Sequence, residues 1–183
     1  MKYIILIIVI VIIISWIFFY QVTRRMIIRN LLIKLINEFE KHQIKYWVDF
    51  GSLLGIAREQ DIIIGDNDGD VCILEDDQEN TLKVKQIVEE MNGKSFEWGA
   101  FRVYECDFFI DIYLVKKEGM NLSFPGEEMI IPQEYILPTL NKDVKIGYNT
   151  LSVSLPKNHL ELLELRYGRN WNISRYKWYT LYL

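Results

Sequence analysis

The chain has 183 residues, half of them apolar and 14% aromatic, enough apolar material for one packed domain once an N-terminal segment is set aside. Lys2 is the only charged residue among the first 20, so the remainder carries a formal charge of −5 against −4 for the whole chain, which argues against non-specific nucleic-acid binding. Cys72 and Cys106 alone cannot build a disulfide framework or a Cys-rich zinc site, and two histidines without a Gly-x-Ser-x-Gly segment disfavour a serine–histidine triad.

The first element is almost wholly Ile, Val, Leu, Phe and Trp. No charge occurs from Tyr3 to Thr23, a stretch of 21 residues, which as a helix spans about 30 Å, the thickness of one hydrocarbon core. A cleaved signal peptide needs small residues at its cleavage site, and no Ala precedes Ala57 and no Gly precedes Gly51. A buried core helix of this composition is rare in a small domain. The segment therefore reads as a transmembrane anchor over residues 1–23, in contact with the bilayer through residues 3–20. Trp16, Phe18, Phe19 and Tyr20 supply an interfacial aromatic belt at its end.

Ile27, Leu31, Leu35 and Phe39 then recur at helical spacing, with Lys34, Glu38 and Lys41 off that stripe. No Gly or Pro interrupts residues 1–50, so the anchor is expected to pass straight into the first helix of a domain covering residues 24–183. Arg24, Arg25 and Arg29 follow the span and favour a cytoplasmic domain. The sequons Asn121-Leu122-Ser123 and Asn172-Ile173-Ser174 suit a lumenal one instead.

Further along, Lys45 to Phe50 predicts a strand. Gly51-Ser52-Leu53-Leu54-Gly55 predicts a glycine-bounded turn into a short helix ending near Arg58, and Val71 to Leu74 predicts a second strand. Val84, Ile87, Val88 and Met91 form a helical stripe that stops at Asn92-Gly93. Phe101–Glu105 and Phe108–Val115 read as a hairpin, and Pro125-Gly126 as a turn. Leu160, Leu163 and Tyr167 suggest a last helix between Pro156 and Gly168. The alternation of helices and strands, with some antiparallel pairing, predicts an α/β (α+β) domain in which a mixed sheet is flanked by helices.

The chemistry concentrates in acids. Asp66, Asp68 and Asp70 alternate through one run, and Asp111 lies in the later strand-like run Phe108–Val115. Residues two apart in an extended chain share a face, so the three acids crowd together and Asp111 can join them from a neighbouring strand. Such carboxylates repel one another unless a cation or a proton intervenes. Hard oxygen ligands at a strand end suit Mg²⁺ or Mn²⁺ and, with them, phosphate chemistry. From Glu59 to Asp77 there are eight acids and no Lys or Arg. The plainer alternative is a solvated acidic loop, but Ile62-Ile63-Ile64 and Val71-Cys72-Ile73-Leu74 flank the acids and read as buried. As a calcium-binding loop the run fails the EF-hand pattern, whose sixth and twelfth positions would be Val71 and Asp77 rather than Gly and Glu.

The run Tyr46-Trp47-Val48-Asp49-Phe50-Gly51-Ser52-Leu53-Leu54-Gly55-Ile56-Ala57-Arg58, followed after seven residues by Asp66, Asp68 and Asp70, resembles the signature of the LicD/fukutin-related family of the nucleotidyltransferase superfamily. Asp111 in Ile-Asp-Ile-Tyr resembles that family's next strand carboxylate. Leu155-Pro156-Lys157 and Tyr167-Gly168-Arg169-Asn170-Trp171 resemble its C-terminal segment. Gly65 stands where the family often has Trp. Gly69 stands where an aliphatic residue is usual, and a glycine inside a strand suggests a bulge.

The resemblance implies a nucleotidyltransferase-like fold and a metal-dependent transferase. Its members move a phospho-alcohol such as phosphocholine or ribitol phosphate from a CDP-linked donor to a glycan or glycolipid hydroxyl. It further implies that Asp68 and Asp70 hold Mg²⁺ or Mn²⁺, with Asp66 as a third ligand or an adjacent acid. Asp111 would share the metal or take the acceptor's proton. Gly51 and Ser52 would offer backbone amides to phosphate, and Arg58 would pair with a phosphate. Lys157, Arg166 and Arg169 read as a solvated helix face more readily than as donor-binding cations, and Tyr167 and Trp171 as core. Analogy with fukutin favours the Golgi or ER lumen. Two alternatives stand beside this reading: a true nucleotidyltransferase that releases pyrophosphate, and an inactive membrane-bound scaffold.

Overall fold

The computed structural model describes residues 2–126 and 130–173; the last residue of the second sequon, Ser174, lies outside them. Helix α1 (Lys2–Lys41) is unbroken over 40 residues, about 60 Å. Its apolar first half is exposed along its length, and it is the one helix among the described residues long and apolar enough to cross a membrane. Its second half is half of a core. Ile28, Leu31, Leu32, Leu35, Ile36 and Phe39 are buried, a face turned slightly from the Ile27-based stripe, with Ile27 packed only at its edge. Each such side chain is worth about 1.5–3 kcal/mol buried rather than exposed, so this half of the helix cannot leave the sheet without unfolding the domain.

After α1 come β1 (Trp47–Val48), α2 (Phe50–Glu59), β2 (Asp68–Leu74), α3 (Gln78–Glu90), β3 (Lys94–Phe96), β4 (Ala100–Glu105) and β5 (Phe108–Glu118). They are followed by β6 (Asn121–Ser123), β7 (Ile130–Pro132), a single 3₁₀ turn, β8 (Leu140–Ile146), β9 (Asn149–Leu155) and α4 (His159–Tyr167). The main sheet runs β1-β2-β5-β4-β3, with β6 extending from β5 and β7 from β6. Strands β2 and β5 are parallel and the other neighbours antiparallel. Strands β8 and β9 form a separate hairpin. The domain is thus a mixed α/β sheet flanked by helices, as the alternation of elements predicts.

Four local expectations are corrected. The strand expected over 45–50 is only Trp47–Val48, because Asp49 ends it by capping α2: its carboxylate accepts the Phe50 amide at 2.8 Å. Gly51 and Gly55 therefore lie inside α2 rather than in a turn before it. No bulge occurs at Gly69, which pairs in register with Ile110. A side chain there would put its Cβ 2.6 Å from Ile110 Cδ1 and 3.1 Å from Ser52 Oγ, so the glycine admits the first turn of α2 onto the strand. In α4, Leu162 and Leu163 are buried while Leu160 and Tyr167 are largely exposed; the stripe is displaced from the predicted one. Trp171 packs against the core.

Candidate active site

Strands β2 and β5 run side by side in the same direction, and this brings the acids together. Asp70 is the direct cross-strand partner of Asp111. Asp68 and Asp70, two apart on β2, share a face, and Asp66 lies just before the strand. With Phe50, Gly51, Trp98, Tyr113, Pro125 and Gly126 these three acids line one cavity of about 410 Å³, well within the size range of ligand sites.

The N-terminus of α2 is fitted to these carboxylates. The Ser52 amide donates to Asp70 Oδ2 at 3.3 Å, and the Asp70 amide donates to Ser52 Oγ at 2.8 Å. A Cβ on Gly51 would lie 2.8 Å from Asp66 Oδ2 and 3.2 Å from Asp70 Oδ2, so glycine leaves the space in which two carboxylate oxygens face the helix start. Phe50 holds a left-handed backbone with φ of 48°, a conformation costing about 1 kcal/mol or more in a non-glycine residue. Its ring is packed by Tyr113 at 5.1 Å and Phe124 at 5.6 Å.

Burial and mutual repulsion set the proton affinities. The Asp68 carboxyl is pushed up to about 6, first by burial and then by the Asp66 charge beside it. Asp70 is raised well above the usual carboxylate range, first by burial and then by Asp68 and Asp66. Burial, then the Asp70 and Asp111 charges, raise the Tyr113 hydroxyl, which stays protonated.

Asp111 has a different environment. Arg102 clamps it with Nε to Oδ1 at 2.5 Å and Nη2 to Oδ2 at 2.8 Å, and the guanidinium lies over Phe109 at 3.7 Å. Arg102 takes one lone pair on each oxygen and leaves the others free.

A second buried carboxylate braces α2 from behind. Asp49 is fully buried. It accepts from Trp47 Nε1 at 2.9 Å and from Arg166 Nη2 at 3.3 Å. Arg166 lies 4.0 Å from the Phe50 ring and 4.8 Å from that of Phe124. Burial raises the Asp49 carboxyl, and the Arg166 charge opposes the rise. Arg166 is thus no solvated helix-face residue: it is the structural partner of the α2 cap.

Of the residues singled out in the sequence, the fold brings Asp66, Asp68, Asp70 and Gly51 to the cavity lining, with Asp111 and Ser52 buried directly behind it. Arg58 is not brought to the cavity; it lies in the last turn of α2 and bonds Glu59 at 2.9 Å. Lys157 is exposed, and Arg169 is exposed and reaches Glu164. The arginines after the span are tied into the domain. Arg24 donates to Asn67 Oδ1 at 2.6 Å, and Arg25 and Arg29 each reach Asp61 at 3.1 Å. Asp49, Phe50, Trp98, Arg102 and Tyr113 were not singled out. For Arg102 a signal existed: counting outward from the Cys106-Asp107 turn places it opposite Asp111.

The donor set suits a hard divalent ion. Among the described residues three acids line the cavity and no Lys or Arg does. Among the described residues no three acid, histidine or cysteine groups already stand around one point at coordination distance, so closing on an ion takes side-chain rotation. Asp68, at the mouth of the strand, is only partly buried, whereas Asp70 is buried.

Comparison with known proteins gives the following. The family profile described as LicD/FKTN/FKRP, nucleotidyltransferase domain, matches residues 43–158. The chain is 34% identical over 80 residues to an uncharacterized protein of Rickettsia prowazekii (strain Madrid E), across 43% of this chain and 29% of that one. It is 31% identical over 80 residues to an uncharacterized protein of Rickettsia typhi (strain ATCC VR-144 / Wilmington), across 43% and 25%. The match thus spans less than a third of either relative's length. Among solved structures, the chain is similar to the antibiotic-resistance factor ANT(2")-Ia in solution, with TM-score 0.49 and 14% identity over 81% of this chain and 75% of that one. It is similar also to the lincomycin-bound lincosamide antibiotic adenylyltransferase LnuA, with TM-score 0.48 and 15% identity over 73% and 83%.

Proposed function

The chain belongs to the LicD/FKTN/FKRP nucleotidyltransferase-domain family, a family of transferases, and from that premise we propose that it is a membrane-anchored, metal-dependent transferase that moves a phospho-alcohol, of the phosphocholine or ribitol phosphate type, from a CDP-linked donor to a glycan or glycolipid hydroxyl. The observation that carries this reading is the meeting of Asp66, Asp68 and Asp70 with the start of α2 in a cavity with no basic side chain among its described lining residues. An anionic donor would be repelled there unless a cation came with it.

Asp68 and Asp70 would hold Mg²⁺ or Mn²⁺, with Asp66 as the third carboxylate. The chemistry supplied by the bound ion is neutralisation of the donor's phosphates as charge develops on the leaving nucleotide. Ser52 fixes the Asp70 carboxylate through its amide, and Gly51, lacking a side chain, lets the Asp66 and Asp70 carboxylates stand against the helix start where they would hold the ion. Asp111, oriented by Arg102, retains lone pairs with which to take the proton of the acceptor hydroxyl. The rings of Phe50, Trp98 and Tyr113 give the donor's base or the acceptor sugar an apolar wall.

The test is a screen of the detergent-solubilised protein against CDP-choline, CDP-ribitol, CDP-glycerol and GDP-mannose with Mg²⁺. Donors are read first by thermal shift and then by product. Release of CMP, abolished by Asp68→Asn, supports the reading. CTP and ATP are offered in the same screen: release of pyrophosphate from either, without CMP from a CDP-linked donor, instead identifies a true nucleotidyltransferase, and absence of any metal-dependent shift or turnover rejects both.

A further inference from the structure

The acidic end of the sheet is pinned to the last turn of the apolar helix. The Arg24 guanidinium bonds Asn67 at 2.6 Å, also bonds Gln21 Oε1, and lies 5.7 Å from the Tyr20 ring. Side chains on a helix lean toward its N-terminus, so Asn67 is held at the level of Tyr20 and Gln21. The start of β5 is at the same level, with the Phe108 ring 6.4 Å from that of Tyr20. Strands β2 and β5 begin there and run away from the apolar half of α1, and Ile28 packs near Gly69 further up.

Tyr3–Tyr20 fills a hydrocarbon core, and the Tyr20–Arg24 turn then rises about 6 Å, the depth of a headgroup layer. Because α1 is unbroken and its second half is buried in the core, the domain has no hinge by which to stand away from the bilayer.

We propose that the edge formed by the residue 65–67 loop and the start of β5 is a bilayer-docking face, so that the carboxylate cavity begins at the headgroup layer, with Asp66 and Asp68 nearest to it, and takes its acceptor as a lipid-linked glycan from the same membrane. The acceptor assignment rests on the transferase reading above; the docking face does not.

Cys106, exposed in the β4–β5 turn two residues before Phe108, is a natural probe site, and Cys72 is buried. The full-length protein in nanodiscs is labelled at Cys106 with a fluorophore and exposed to lipid carrying a nitroxide on its headgroup. The control is Cys106→Ser with Glu118→Cys, at the far end of β5, roughly 33 Å away. Quenching at least threefold stronger at Cys106 is expected, and equal quenching overturns the docking face. In parallel, octadecyl and methyl glycosides of the same sugars are offered with each donor. At least a tenfold preference in kcat/KM for the octadecyl form is expected, and equal use overturns the lipid-linked acceptor. No transfer to either form overturns the transferase reading and the acceptor with it, while quenching at Cys106 still decides the docking face.

Discussion

Asp70 and Asp111 are direct partners across the parallel strands β2 and β5, yet among the described residues only Asp111 is paired with a cation. Arg102 clamps Asp111 through two hydrogen bonds, whereas Asp70 has the Ser52 amide and two further acids for company. One carboxylate is paired with a cation, and the other, among the described residues, stands beside further acids that raise its proton affinity.

Asp68→Asn and Asp70→Asn are each expected to abolish turnover, by on the order of 100-fold or more, while leaving the protein folded. Both replacements also remove charge from a group whose ionisation is opposed by burial and by its neighbours. In EDTA at pH 7.5 the variants should therefore melt at or above the wild-type temperature. Circular-dichroism melts and a donor assay on the same preparations check both halves. Near-full activity in either variant would remove that residue from the site.

The same electrostatics predict a pH dependence. The folded protein holds a proton on Asp68 up to about pH 6, whereas the unfolded chain loses it near 3.8. A raised acid of this kind favours the folded state most below the unfolded value, and that contribution is lost as pH rises through about 6. Asp70, shifted in the same direction, adds to the trend. Metal-free protein should thus lose melting temperature between pH 5 and 7, and the increment given by Mn²⁺ should grow over the same window. Melts at intervals of half a pH unit, with EDTA or with Mn²⁺, measure this, and Asp68→Asn should flatten the metal-free slope.

Gly51→Ala separates site geometry from fold stability. The new methyl would meet Asp66 Oδ2 and Asp70 Oδ2, both ends of movable side chains rather than backbone. The cost to stability should be about 1 kcal/mol or less, a change of roughly 2–4 °C in Tm. Affinity for Mn²⁺ or for a CDP-linked donor should fall at least tenfold, measured by titration calorimetry, because both carboxylates are pushed off the helix start.

How much of this was legible depends on range. The alternation of Asp66, Asp68 and Asp70 fixes their shared face locally, and the period-two run around Asp111 marks its strand. Their meeting needed only that the two strands be neighbours. Arg102 was within reach, since register in a hairpin follows from its turn, but an arginine in a strand carries no motif. Asp49 was hidden because the apolar run Tyr46–Phe50 reads as strand through the capping position. Trp98 and Arg166 reach the site only through tertiary packing: Trp98 by β3–β4 folding beside β5, and Arg166 from α4, 117 residues from its partner Asp49. No spacing in the sequence encodes such contacts. A basic cluster after an apolar stretch has the form of a membrane-orientation signal, whereas Arg24, Arg25 and Arg29 are engaged with Asn67, Glu59 and Asp61.

That engagement makes the junction between the apolar half of α1 and the domain testable by proteolysis. A flexible tether at residues 21–26 would be cut rapidly by trypsin after Arg24 or Arg25. In the structure both lie within one continuous helix, Arg24 is buried, and Arg25 bridges Glu59 and Asp61. Cleavage there should proceed no faster than global unfolding, whereas exposed lysines elsewhere are cut first. Asp61→Asn weakens the partner of both Arg25 and Arg29 and leaves the helix sequence intact, so it should raise the cutting rate at Arg25 several-fold. Mass spectrometry of the earliest fragments from detergent-solubilised protein reads the order of cuts, and rapid release of a fragment beginning at residue 25 or 26 would mean that the domain hangs loosely from its anchor.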